Sequence, residues 1–97
     1  MPDRVTYDYE SVTVTGSVVK LTPAKYLPSG EQHARAAKCS LESGDIRLRV
    51  DSNPSSSEGS LVENGDSFTV EGIEDIRRIG FTRTGAASGI LKVRYER

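Results

Sequence analysis

The 97-residue sequence predicts an all-β protein: one small antiparallel β-sandwich or barrel of about seven to eight strands, in a jelly-roll-like or Greek-key-like order. Three observations predict it. Apolar residues recur with a period of two, as on strands with one face toward a core and one toward water. Turn-forming residues separate these runs at the spacing of short strands. The length accommodates one small hydrophobic core and leaves little room for a large internal cleft.

The elements follow in chain order. Residues 1–10 precede the first clear strand and read as an N-terminal arm, able to add an edge strand or to reach onto a neighbour. Val12 and Val14 then alternate with Ser11, Thr13 and Thr15, and after Gly16 the pattern resumes at Val19 and Leu21. Ala37, Cys39 and Leu41 alternate with Lys38, Ser40 and Glu42, and Ile46, Leu48 and Val50 with Arg47 and Arg49. Phe68 and Val70 form a further run, as do Ile79 and Phe81, and Leu91, Val93 and Tyr95 form the last. Ile73, Ile76 and Ile79 lie three apart, which predicts a single helical turn at Ile73–Arg77 leading into a strand.

The punctuation agrees. Ser43-Gly44-Asp45 and Glu63-Asn64-Gly65-Asp66 read as tight hairpin turns, since Gly and Asn tolerate the positive φ that such turns demand. Residues 84–89 form a longer turn before the last strand. Thr22 to His33, with Pro23, Pro28 and Gly30, reads as a long surface loop. Asp51 to Ser60, with Asn53-Pro54 and five serines, reads as another, and loops of this length either carry function or simply bridge the two sheets. With no internal repeat and no linker, residues 1–97 form a single domain.

Composition narrows the function. Thirteen basic against fourteen acidic residues, evenly spread, exclude a strongly basic nucleic-acid binder. The single cysteine excludes a disulfide-stapled miniprotein, and one cysteine with one histidine falls short of a structural zinc site. No apolar stretch reaches the roughly 20 residues of a membrane-spanning helix. The first residues lack a basic region followed by an apolar one, so the expected location is the cytoplasm, or a larger particle assembled there.

Catalysis is not expected. A nucleophilic dyad would have to use His33, in a loop, with Cys39, which the alternation places on an inward strand face as a small hydrophobe. The carboxylate pairs Glu74-Asp75, Asp8 with Glu10, and Glu63 with Asp66 are close in sequence, which does not place them across a groove. Phosphate-binding glycine motifs are absent, and Asp51-Ser52-Asn53 starts like a calcium loop without continuing as one. No cofactor and no metal are expected. Nine arginines against four lysines allow an anion-binding row along Arg47 and Arg49 or a subunit contact, but cross-strand pairing with acidic neighbours is the simpler expectation. Tyr7, Tyr9 and Tyr26 in the arm and the long loop suit a protein interface, because tyrosine buries area and keeps a polar end.

From Ala34 onward the chain resembles small β-sandwich proteins of tailed bacteriophages. The resemblance rests on Ala34-Arg35-Ala36-Ala37, on Ile46 to Asp51 with the Asn53-Pro54 loop, on Leu61, Gly65-Asp66 and Phe68-Thr69-Val70, and on Ile79 to Tyr95 with Arg83-Thr84-Gly85-Ala86. It covers about two-thirds of the chain and departs from the pattern at Asp51-Ser52, where Asp-Gly is expected, and in the polar tract from Ser55 to Ser57. The resemblance implies a non-catalytic virion component, most concretely a head decoration or cement protein on the capsid exterior, bound to the major capsid protein and trimeric. Tyr7, Tyr9, Tyr26 and Leu27 are the expected contact residues. A tail, baseplate or fibre adaptor is the alternative within the particle. A carbohydrate- or ligand-binding module is the alternative outside it, poorly served by six aromatics and no tryptophan.

Overall fold

The computed structural model describes residues 5–27, 30, 32–55 and 57–97. Among the described residues, eight strands form two four-stranded antiparallel sheets. They are β1 (Thr6–Val14), β2 (Val19–Lys20), β3 (Ala36–Ser43), β4 (Ile46–Arg49), β5 (Ser60–Val62), β6 (Ser67–Glu71), β7 (Gly80–Arg83) and β8 (Gly89–Glu96). One sheet has the order β1-β8-β3-β6 and the other β2-β7-β4-β5.

The pairing is nested: β1 with β8, β2 with β7, β3 with β6, and β4 with β5. The chain is therefore one long antiparallel hairpin wrapped over two layers, and the contacts β3·β8 and β4·β7 join its turns into sheets. That arrangement is a jelly roll. Among these strands only β4 and β5 are consecutive partners in one sheet, and every other connection crosses between sheets.

The crossing corrects three expectations. Ser43-Gly44-Asp45 leads from β3 in one sheet to β4 in the other, so it is a corner and not a hairpin. Glu63–Asp66 likewise carries β5 over to β6. Its turn is real, with the Asp66 N–H donating to the Glu63 carbonyl at 2.9 Å. The serine-rich loop does the opposite, joining β4 to β5 within one sheet rather than bridging two. Corners and hairpins need the same backbone conformations, so the turn residues alone do not distinguish them. Gly44 shows why glycine is required at the corner: its φ is +67°, and a Cβ would lie 3.0 Å from the Ser88 carbonyl oxygen of the adjacent crossing.

The predicted alternation sets the core. Val12, Val14, Cys39, Leu41, Ile46, Phe81, Leu91, Val93 and Tyr95 fill the space between the sheets. Full burial of each large apolar side chain stabilises the fold by about 1.5–3 kcal/mol. Two short helices cover this core. The predicted turn near Ile73 is α2 (Ile73–Arg78), which buries Ile76 and runs into Ile79.

The other helix was not expected. Within the predicted loop 22–33, Pro23–Tyr26 form α1, with Pro23 in the first helical turn and Tyr26 buried. Proline suits that position because its missing N–H has no intrahelical role there. Residues 28, 29 and 31 of the same loop lie outside the described residues.

The N-terminal arm is also revised. From Thr6 onward it is the first half of β1, paired with β8 along its length. Residues 1–4 lie outside the described residues.

Candidate functional site

The four residues expected at an interface separate in the structure. Tyr7 sits at a bulge in β1, between the pairs Thr6↔Glu96 and Asp8↔Tyr95. The extra residue re-aims the side chain. Its ring packs against the core, 6.5 Å from that of Tyr95 and 4.4 Å beneath the Arg97 guanidinium, and its hydroxyl donates to the Lys25 carbonyl at 2.7 Å. Tyr26 is core, at 6% exposure. Both tyrosines hold α1 and β1 to the sandwich, which corrects the expectation that they are exposed. Tyr9 and Leu27 are exposed, at 66% and 43%.

A polar node lies at the α1 end of the interior. Glu10 shares the inward parity of Val12 and Val14, and its carboxylate accepts hydrogen bonds from the Tyr95 hydroxyl, the Thr22 hydroxyl and the Thr22 N–H. Burial, and then the hydrogen bond and charge of Glu10, keep the Tyr95 phenol protonated far above its usual range. The Cys39 thiol is pushed up to about 12, first by burial and then by the charge of Glu10. A thiol so placed is a poor nucleophile. His33 is exposed, and its Nδ1 lies 3.1 Å from the Ala34 carbonyl oxygen. Nothing brings His33 and Cys39 together as a dyad. Among the described residues no three His, Cys, Asp or Glu side chains converge as metal ligands.

Arg47, Arg49 and Arg77 are occupied, by groups of their own hairpin or helix. Arg49 makes a bidentate pair with Asp51 at 3.0 and 2.8 Å, which holds the Asp51 carboxyl below its usual range. Arg77 lies 3.6 Å from Glu74 in α2, and Arg47 donates to the Gly59 carbonyl at 3.0 Å. The row expected on Arg47 and Arg49 is therefore tied to its own hairpin. A second cationic hollow of about 390 Å³ lies between Lys20, Arg77, Arg78 and residues 50–53, and there Lys20 is tied to the Arg78 carbonyl at 2.8 Å.

A further surface feature is the outer face of the β1-β8-β3-β6 sheet, an open depression of about 670 Å³. Register fixes its layout. One row across the strands reads Tyr9, Arg94, Lys38, Thr69, and the next reads Ser11, Lys92, Ser40, Ser67. These two rows hold three cations, and their neighbours are hydroxyls. Lys92 donates to Ser11 Oγ at 3.1 Å. Arg94 and Lys38 share one buried carboxylate, Glu96, at 3.5 and 3.7 Å. The arrangement was not legible beforehand, because Tyr9, Lys38, Lys92 and Arg94 become neighbours only through the register of three strands.

No protein family, curated protein or solved structure matches the chain.

Proposed function

We propose that the chain is a non-catalytic structural protein of a tailed-bacteriophage particle. In its most concrete form it is a decoration or cement protein that binds across coat subunits on the capsid exterior and acts there as a trimer. The observation that carries the reading is the strand order, a complete jelly roll of eight strands, an architecture used repeatedly in viral capsids. The resemblance from Ala34 to Tyr95, which implies a small β-sandwich of a phage particle, is the second support. A fold alone does not define a function, so the reading also rests on the surface the fold offers.

Of the expected contact residues, Tyr9 and Leu27 are free to meet a coat subunit. β1 adds an open sheet edge, with Val5 exposed at 63% beside its start. An edge strand flanked by exposed apolar residues can be extended by a strand of a partner. Tyr7 and Tyr26 contribute by holding β1 and α1 rigid behind that edge.

Binding to particles prepared without the protein tests the proposal. Leu27→Ala with Tyr9→Ala is expected to lower occupancy, with the fold intact by circular dichroism. Unchanged occupancy removes the proposed contact surface. Occupancy confined to the tail makes the protein an adaptor.

A further inference from the structure

We infer that the outer face of the β1-β8-β3-β6 sheet is a binding site for a glycan carrying isolated carboxylates, such as a uronic-acid or sialic-type sugar within an otherwise neutral chain. The inference goes beyond the proposed place in a particle and does not depend on it.

Charge is the first argument. The chain as a whole is at −1, yet the two central rows of this face carry Lys38, Lys92 and Arg94 and no carboxylate. Lys92, at the centre, is bonded to a serine hydroxyl, with no ion pair to any described residue. Arg94 and Lys38 both lean on Glu96, so one buried carboxylate answers two cations. The middle of the face is therefore short of negative charge.

The ends of the face limit the size of the anion. Glu42 stands beyond one end of the central rows, and Glu71 and Glu96 beyond the other. A continuous polyanion such as an acidic peptide running on past the Lys92 row would meet the exposed Glu42 carboxylate and be repelled. A single carboxylate over Lys92 and Arg94, which lie about 7 Å apart as alternate residues of one strand, would not.

The remaining groups match a sugar. Ser11, Ser40, Ser67 and Thr69 present hydroxyls that both donate and accept, as polyhydroxylated ligands require. Tyr9 stands exposed at the end of the Arg94 row, where its ring can cover the apolar face of a pyranose. The sequence offered few aromatics for such a role, but one placed beside the cations suffices for a weak site. The depression of about 670 Å³ lies in the range of ligand-binding pockets, about 300–1,000 Å³.

The test is a titration of the ¹⁵N-labelled protein with a hyaluronan tetrasaccharide, whose carboxylates alternate with neutral sugars. Neutral chitotetraose and a pentaglutamate peptide are the comparisons. The expected result is saturable shifts in the amides around Lys38, Lys92 and Arg94, with Lys92→Ala weakening the affinity roughly tenfold. That residue is exposed, so the variant keeps the native spectrum elsewhere, and Tyr9→Ala provides a second probe of the same face. Equal binding of chitotetraose would overturn the role of charge. Equal or tighter binding of pentaglutamate would make the face a docking site for acidic peptides. No shifts on this face up to about 10 mM ligand would overturn the site itself.

Discussion

Replacing Tyr95 by phenylalanine removes one hydroxyl from the α1 end of the core and leaves its shape in place. The ring is fully buried, so its packing against Tyr7 at 6.5 Å is retained. The loss is the hydrogen bond donated to the Glu10 carboxylate. A hydrogen bond to a charged group contributes about 1.5–3 kcal/mol. Glu10 keeps the hydroxyl and N–H of Thr22, so it is not left without donors, and we expect a loss near 2 kcal/mol. For a domain of this size that lowers Tm by roughly 8–16 °C. Urea unfolding followed by tryptophan-free far-UV circular dichroism measures it, with an unchanged denaturant slope showing that only stability has moved. Glu10→Gln, alone and combined with Tyr95→Phe, completes a double-mutant cycle that isolates the coupling between the two groups. A loss below about 0.5 kcal/mol, or additive effects in the cycle, would refute the view that this node anchors β1 to α1 and β8.

Three further predictions follow from the packing and the buried thiol. Gly89→Ala places a Cβ 2.7 Å from Ile46 Cγ2 and 3.1 Å from the Ser43 carbonyl oxygen, where the two sheet crossings meet, and overpacking of that kind costs about 1–3 kcal/mol. Thermal unfolding should show a clear loss there and almost none for Gly85→Ala, which meets nothing within 4 Å. Tyr26→Ala should destabilise the fold by about 3 kcal/mol or more, whereas Leu27→Ala, half exposed next to it, should leave stability within about 0.5 kcal/mol. Cys39 should resist thiol reagents in the native state. Its raised folded-state pKa means that its contribution to stability is complete below pH 9 and is lost as pH rises toward about 12, at up to ~1.4 kcal/mol per pH unit. The decline in unfolding free energy over that window should be visibly shallower in Cys39→Ala.

The facing of the longer strands was legible because alternation is a local property, whereas β5 (Ser60–Val62) is too short to show a period and was not foreseen. Val12 and Val14, Cys39 and Leu41, and Leu91, Val93 and Tyr95 all point inward as the period of two requires. Sheet membership was not legible, since a corner at Gly44 and a hairpin at the same residue ask for the same positive φ. Tyr7 and Tyr9 show a sharper limit. Two residues apart on one strand, they should share a face, and one bulged residue separates them into a packed anchor and an exposed ring. The helix at Pro23–Tyr26 had a usable signal, proline followed by helix-tolerant residues, which the flanking Pro28 and Gly30 masked. The cationic face had none. It is assembled from residues up to 85 positions apart, Tyr9 and Arg94 among them, and only the pairing of β1, β8 and β3 brings them together.

The proposed place of the chain in a phage head is tested most directly by quantitative mass spectrometry of particles purified from any phage whose genome carries this sequence. A decoration protein should be present in copy numbers comparable to the coat subunit and should leave the heads under conditions that keep tails attached. Presence in only a few copies, retained with the tail, or absence from the particle would contradict it.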